Sequence, residues 1–193
     1  MPTDPQTTVF ETSRLLAVLP EPADAWVFHR LWTDPRVMTN VGFPNGLQIT
    51  AEEIAAQIAA AGPGPLNRYL LVVIKSSGEP AGECKLIPPD EQGIARTDIK
   101  LLPEYWGNRY GVEIKRGLLD YLFTHTDCKA VEATPNVQNQ ASIKMQQAVG
   151  GVCVSSGVFE VPEHLQDYAQ PVPHYVFLVQ RETWLARKQA EAE

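Results

Sequence analysis

Residues 101–123 read LLPEYWGNRYGVEIKRGLLDYLF, a strand end, a turn and a helix in succession. The residues leading into it, ARTDIKLL at 95–102, carry a strand pattern that Pro103 ends. The residues leading out, GVEIKRGLLDYLFT at 111–124, put Ile114, Leu118, Tyr121 and Leu122 on one helical face. Between strand and helix lies a turn holding Gly107 and Gly111. Such a turn aims several backbone N–H groups at one point, at the positive end of a helix dipole. A diphosphate fits that point, and the glycines leave phosphate oxygens room beside the backbone. A glycine-bearing turn with no ligand is the plainer reading of the same spacing.

Toward the N-terminus, RLLAVLP at 14–20 reads as a short strand stopped by Pro20. ADAWVFHRLWT at 23–33 reads as a helix that stops at Asp34-Pro35, because a proline disfavours helix at the residue before it. Trp26, Trp32 and, further on, Tyr69 are assigned to the core rather than to a substrate platform. Thr50 to Glu53 has the form of a capping box and opens a helix at about 51–61, which Gly62-Pro63-Gly64-Pro65 stops. The period then changes. RYLLVVIK at 68–75 and AGECKLIP at 81–88 flank a turn at Ser76–Glu79 and form a hairpin. With 95–102 they make an antiparallel set, since the connections are too short for crossover helices.

Toward the C-terminus come a strand at 129–135, a helix at 139–149 closed by Gly150-Gly151, and strands at 151–161 and 173–180. The charged tail from Arg181 reads as a short helix or a frayed end. This order of elements predicts an α+β (mixed α/β) protein. It is read as a single domain, 1–193, with a core at about 11–181.

Composition narrows the function. Sixteen Lys and Arg against 23 Asp and Glu leave a formal charge of −7, which offers nothing to nucleic acid phosphates. Cys84, Cys128 and Cys153 are odd in number and lack a CxxC, against a disulfide framework or a zinc cluster. Reduced thiols suit a cytoplasmic protein. His29, His125, His164 and His174 are scattered, so no metal is expected. His174, near the last strand, is expected to be exposed. The opening MPTDPQTTVFETSR has no apolar region of a signal peptide, and no run approaches a membrane span.

The 101–123 stretch resembles the Q/R-x-x-G-x-G/A motif of GNAT acetyltransferases. It is nearest the branch that acetylates the N-termini of ribosomal proteins, whose text runs roughly PEYWGKGYATEA. Pro103, Glu104, Tyr105, Trp106, Gly107, Tyr110 and Glu113 match that text, and Gly111 takes the final small-residue place. Elsewhere Glu11-Thr-Ser-Arg14-Leu15 looks like E-T-x-R-L, and Asp34-Pro35 with Val37-Met38 looks like D-P-x-V-M. Asn139-Gln-Ala-Ser142-Ile143 is similar to N-x-A-S-I. Gly82 and Gly150 also fall at family glycines. Two departures stand out: Arg109 replaces a motif glycine, and Gly151 replaces the phenylalanine of K-L-G-F.

The resemblance implies a GNAT-like acyl-CoA N-acyltransferase fold, with a central, mixed, mostly antiparallel, splayed sheet of about seven strands flanked by helices. It implies acetyl transfer from acetyl-CoA (coenzyme A) to a primary amine by direct attack on the thioester. The amine is a peptide N-terminus or a small amine such as a polyamine or aminoglycoside. The alternative is a non-catalytic acyl-CoA-binding or sensing protein of the same fold. By the same resemblance the backbone of Ile99, Lys100 and Leu101 bonds the pantetheine arm. Trp106, Gly107, Asn108, Arg109, Tyr110, Gly111 and Val112 surround the diphosphate. Asn139 contacts CoA, caps its helix, or does both.

Ser142 is the candidate for the departing thiolate, because Gln146 stands where many members have a tyrosine. The candidate bases are Glu83, Asp98, Glu132 and Glu160, with Asp98 and Glu160 preferred on strands that flank the acceptor. At Arg109 three outcomes are open: the side chain points away and leaves the amide usable, the guanidinium binds phosphate, or binding weakens. Retained binding is expected. The loop PEHLQDYAQPVPH at 162–174 is placed on the acceptor side. No membrane or nucleic acid partner is expected, and the protein is a monomer or homodimer.

Overall fold

The structure is a computed structural model that describes residues 8–192; the polar opening Met1–Thr7 lies outside the described residues. Its strands are β1 (Thr8–Glu11), β2 (Leu15–Val18), β3 (Tyr69–Ile74), β4 (Pro80–Ile87), β5 (Ile94–Leu101), β6 (Ala130–Ala133), β7 (Val152–Phe159) and β8 (Val172–Gln180). The helices are α1 (Ala25–Thr33), α2 (Pro35–Met38), α3 (Ala51–Ala60), α4 (Tyr110–His125), α5 (Gln140–Ala148) and α6 (Arg181–Ala192). The eight strands form one sheet in the order β1-β2-β3-β4-β5-β6-β8-β7.

Seven of these strands follow the sequence pattern, and β1 is the addition. It pairs antiparallel with β2. Its Phe10 ring fills the space where a Cβ on Gly117 of α4 would stand. Its place comes from pairing with β2 and from that contact with a helix far along the chain.

Every neighbouring pair is antiparallel except β5 and β6, which run parallel from Ile94↔Ala130 to Arg96↔Glu132. Beyond Arg96 the pairing stops while β5 continues to Leu101, so the two strands fork. One core packs the sheet against α4 and α6, around Cys84, Leu86, Ala95, Leu118 and Trp184. The other packs the opposite face against α1 and α3, around Phe28, Trp32, Ile54 and Leu71. Period-2 alternation assigns β5 accordingly. Ala95, Thr97 and Ile99 turn toward α4, and Lys100 turns toward Trp32 and Tyr69.

Local signals decide the helix ends. Asp34 closes α1 and caps α2, where its carboxylate accepts from the Arg36 N–H at 2.9 Å. Thr50 and Glu53 form the reciprocal capping box at α3. Gly150 follows α5 at φ 83°. Two readings are corrected, at Trp26 and His174, and the open one at the tail is resolved in favour of a helix. Trp26 is not core but 46% exposed, with the Arg30 guanidinium 5.9 Å from its ring centre. His174 is buried, stacked on Phe159 with ring centres 3.9 Å apart. The tail is a full helix, because Trp184 buries its ring and donates to Asp120 at 2.9 Å.

Candidate active site

The turn that opens α4 is held by residues nearly a hundred positions away. Glu113, in the first turn, accepts from the Thr12 hydroxyl at 2.6 Å, the Arg14 N–H at 2.7 Å and the Arg14 Nε at 2.7 Å. Burial pushes the Glu113 carboxyl up, but these bonds outweigh it and the net direction is down. Arg14 also donates to the Asn108 carbonyl at 3.2 Å and lies 4.7 Å from the Tyr110 ring centre. The Trp106 indole donates to the Leu101 carbonyl at 2.8 Å and ties the turn to the end of β5.

Arg109 takes the N-cap position of α4 at φ 62° and ψ 15°, in the left-handed region. That is a conformation for glycine, and an L side chain adopts it at a cost of about 1–2 kcal/mol. The backbone therefore keeps the shape the motif requires despite the substitution. The first N–H groups of the helix, at Tyr110, Gly111 and Val112, have no partner within it. Gly111 lets α5 come close: a Cβ there would meet the Met145 sulfur at 3.3 Å.

Beside this turn a cleft of about 970 Å³ runs through the fork between β5 and β6. Five consecutive β5 residues, Thr97 to Leu101, line it, so it opens to both faces of the sheet. On the α4 side its walls include Gly111, Val112, Lys115, Ser142, Met145 and Gln146. On the other side they include Val37, Asn40 and Val41 beside α2, with Phe159 and Val172. The 162–174 loop borders that second side. Gln170 donates to the Gly42 carbonyl at 2.8 Å, and Tyr168 packs on Phe43 with ring centres 5.4 Å apart.

The expected site residues divide on this geometry. Ile99, Lys100, Leu101, Trp106, Gly107, Arg109, Tyr110, Gly111, Val112, Asn139 and Ser142 all line the cleft. Asn108 does not: its amide turns back to the Tyr105 carbonyl at 3.1 Å. Asn139 caps α5 by accepting from the Ser142 N–H at 3.0 Å. Of the four carboxylates weighed as bases, Asp98 alone lines the cleft. Glu160 follows the end of β7, exposed to solvent, and does not line the cleft, although its neighbour Phe159 does. Glu132 is engaged by Arg96 at 2.8 Å. Glu83 is buried on the α1 side, accepting from Trp32 Nε1 at 2.9 Å and from Lys100 Nζ at 3.1 Å.

Lys100 also donates to Asp98, so one ammonium joins a buried and a cleft-facing carboxylate. Burial alone would pull Lys100 down; Glu83 and Asp98 reverse that and push it up. Burial pushes Glu83 up, and the Lys100 charge opposes it.

Two cleft residues escaped the sequence reading in their true roles. Lys115 is 1% exposed, and its Nζ donates to the Thr97 hydroxyl at 2.6 Å. No carboxylate pairs with it among the described residues. Burial pushes its amine down to about 7, against an opposing pull from Asp98. Its spacing was the available signal, since it stands three and four residues before Leu118 and Leu119 on the apolar stripe of α4. Gln146 is 3% exposed, and its Oε1 has no hydrogen-bond partner among the described residues.

The cleft fits an acyl-CoA. Orphan helix N–H groups and the cationic Arg109 and Lys144 stand at one end. Ile99, Leu101 and Met145 line an apolar passage beyond them, and the buried Gln146 acceptor awaits a donor. Among the described residues no helix is long and apolar enough to cross a membrane, and no cluster of metal-ligating side chains occurs.

Comparison with known proteins agrees with this geometry. Residues 14–152 match the acetyltransferase (GNAT) domain family. An uncharacterized N-acetyltransferase p20 of Bacillus licheniformis is 28% identical over 137 residues, which span 69% of this chain and 76% of that protein. The solved structure of spermidine N-acetyltransferase from Vibrio cholerae, in complex with CoA and spermine, shares the fold with a TM-score of 0.75 at 18% identity, over 90% of this chain and 99% of that one. A putative ribosomal-protein-serine acetyltransferase from Vibrio cholerae has a TM-score of 0.69 at 16% identity, over 90% and 99%. The forked sheet, the glycine-type turn at Arg109 and the family match together place this chain in the GNAT acetyltransferase family, as an acyl-CoA-dependent N-acyltransferase that uses acetyl-CoA.

Proposed function

We propose that the acceptor is a primary amine on an uncharged body, a peptide N-terminus before a polyamine, and that it enters from the α2 side of the fork. The observation that carries this reading is the cleft lining. Asp98 is the one carboxylate lining the cleft among the described residues, and Lys100 already holds it. The α2 side includes the uncharged Val37, Asn40, Val41, Phe159 and Val172, and Arg36, whose guanidinium pairs with Asp34 at 2.6 Å. A multiply charged amine needs several anionic partners in such a space. One amine needs one.

In this reading the helix N–H groups of Tyr110, Gly111 and Val112, with the Arg109 guanidinium, hold the cofactor diphosphate. Bound acetyl-CoA supplies an activated acyl carbon. The Ile99 N–H donates to no strand partner on the fork side and instead donates to its neighbour's carboxylate, Asp98 Oδ1, at 3.0 Å. Displacing that carboxylate frees the N–H to polarise a carbonyl and frees Asp98 to take the amine's proton, directly or through water. Ser142, on the α4 side, faces the place of the departing sulfur.

The test is to mix the protein with acetyl-CoA and a panel of peptides, monoamines and polyamines, and to follow thiol release. Turnover is expected on a neutral peptide N-terminus or a monoamine. Preference for spermidine would overturn the acceptor assignment. CoA binding without turnover on any amine would favour the sensing alternative, to which Gln146 in place of an acidic hydroxyl lends its support.

A further inference from the structure

We propose that Lys115 is an internal acyl acceptor: when no amine substrate fills the α2 side, its side chain takes the acetyl group and closes the cleft to further acetyl-CoA. The inference rests on the acetyl-CoA reading above, but it concerns a residue that reading does not use.

Lys115 is the odd one among the lysines. Lys75 pairs with Glu11, Lys188 with Asp120, and Lys100 with Glu83 and Asp98. Lys85 lies over the Tyr69 ring, its Nζ 4.8 Å from the ring centre. Lys115 is fully buried, yet its one bond is to the neutral Thr97 hydroxyl. An unpaired ammonium in such a place is costly, so burial favours the free amine. The downward push to about 7 leaves much of it unprotonated at neutral pH.

Position gives that amine a target. Thr97 is the first β5 residue beyond the last parallel pair, Arg96↔Glu132, so Lys115 Nζ stands at the vertex of the fork. It lines the cleft from the α4 side, the same side as the helix N–H groups and Ser142. Gln146 Oε1 is a second, independent mark of a missing ligand there: a buried acceptor in the same cleft that lacks a donor. An amide N–H or a pantetheine N–H supplies one.

The step balances without an outside reagent. The Nζ lone pair attacks the thioester carbonyl, the N–C bond forms, and the C–S bond breaks with its electron pair on sulfur. The Nζ proton passes to that sulfur, leaving CoA thiol and N-acetyl-lysine. The product is neutral, which suits a buried site, and its acetyl group occupies the vertex. Lys144 offers an internal comparison, since it lines the same cleft but is exposed.

The experiment uses the full chain with acetyl-CoA and no acceptor, mapping acetylated peptides by mass spectrometry over time. Lys115 is expected to gain one acetyl group about tenfold faster in the folded protein than in the chain unfolded by denaturant, as proximity requires. Excess CoA should slow it, and Lys144 should lag. Equal rates in folded and unfolded chain, indifference to CoA, or no modification of Lys115 would overturn the inference. Calorimetry with CoA on the same sample separates the two claims. Heat of binding without Lys115 acetylation sinks this inference alone; no heat sinks the cofactor reading with it.

Discussion

Arg14 grips Glu113 from two sides: its backbone N–H and its guanidinium Nε each donate to that carboxylate at 2.7 Å. The pair joins the turn between β1 and β2 to the first turn of α4, beside the backbone that lines the cleft. The resemblance at Glu11–Leu15 and the resemblance at 103–113 are therefore two halves of one contact.

Glu113→Ala should cost about 1–2 kcal/mol, since several donors lose a shared, partly exposed acceptor. CoA affinity should fall with it, because the turn loses its anchor. Because the folded carboxyl lies below its ordinary value, its contribution is present above about 4.5 and is lost as pH falls through the lowered folded value. Denaturant unfolding and CoA titration check both. Unchanged CoA affinity in a destabilised variant would show that the contact serves stability alone.

Lys115→Met should be most stabilising, relative to the parent, at low pH. The folded amine sits near 7 while the unfolded one titrates near 10.5, so between those values the unfolded chain binds more protons. Parent stability rises with pH there, by up to about 1.4 kcal/mol per pH unit. Urea unfolding of both proteins across pH 7 to 10.5 should show the gap closing in favour of the parent. Parallel curves would mean that Lys115 is not held in an apolar site.

Glu83→Ala should destabilise by about 2–3 kcal/mol, because the Trp32 indole loses its acceptor and Lys100 keeps only Asp98. Glu83→Gln should lose much less, since an amide oxygen still accepts from Trp32. A loss under about 0.5 kcal/mol for the alanine variant would deny the network any structural role.

Arg109→Gly should raise stability by about 0.5–1 kcal/mol, as relief at φ 62° exceeds the entropy glycine adds to the unfolded chain. If the guanidinium holds phosphate, the same change weakens CoA binding and flattens its salt dependence. Tighter CoA binding in the glycine variant would show instead that the arginine obstructs the site.

Asp98→Asn should lower turnover on the best amine about a hundredfold or more, with CoA affinity kept, if this carboxylate takes the proton. Ser142→Ala should lower turnover too, leaving α5 capped by Asn139. Equal turnover in the asparagine variant would move the base elsewhere.

Much of this molecule was legible from neighbours in sequence. The strands at 68–75, 81–88 and 95–102, the capping box at Thr50 and Glu53, and the strand-to-helix turn all rest on sterics and hydrogen bonds spanning a few residues. Chain-local signals thus carried the order of the elements other than β1 and α2, the family, and the turn that lines the cleft. Tertiary structure alone decided the rest. A carboxylate on a strand has a parity but no known face until the sheet has partners, and so Asp98 reached the cleft while Glu132 met Arg96 and Glu83 was buried. A lysine on a helix carries no local mark of burial, so Lys115 became visible only once α4 lay over the fork. Strand β1 needed Gly117, and Glu113 needed Arg14. Desolvation and charge pairing depend on which surfaces meet, and chain neighbours do not choose those.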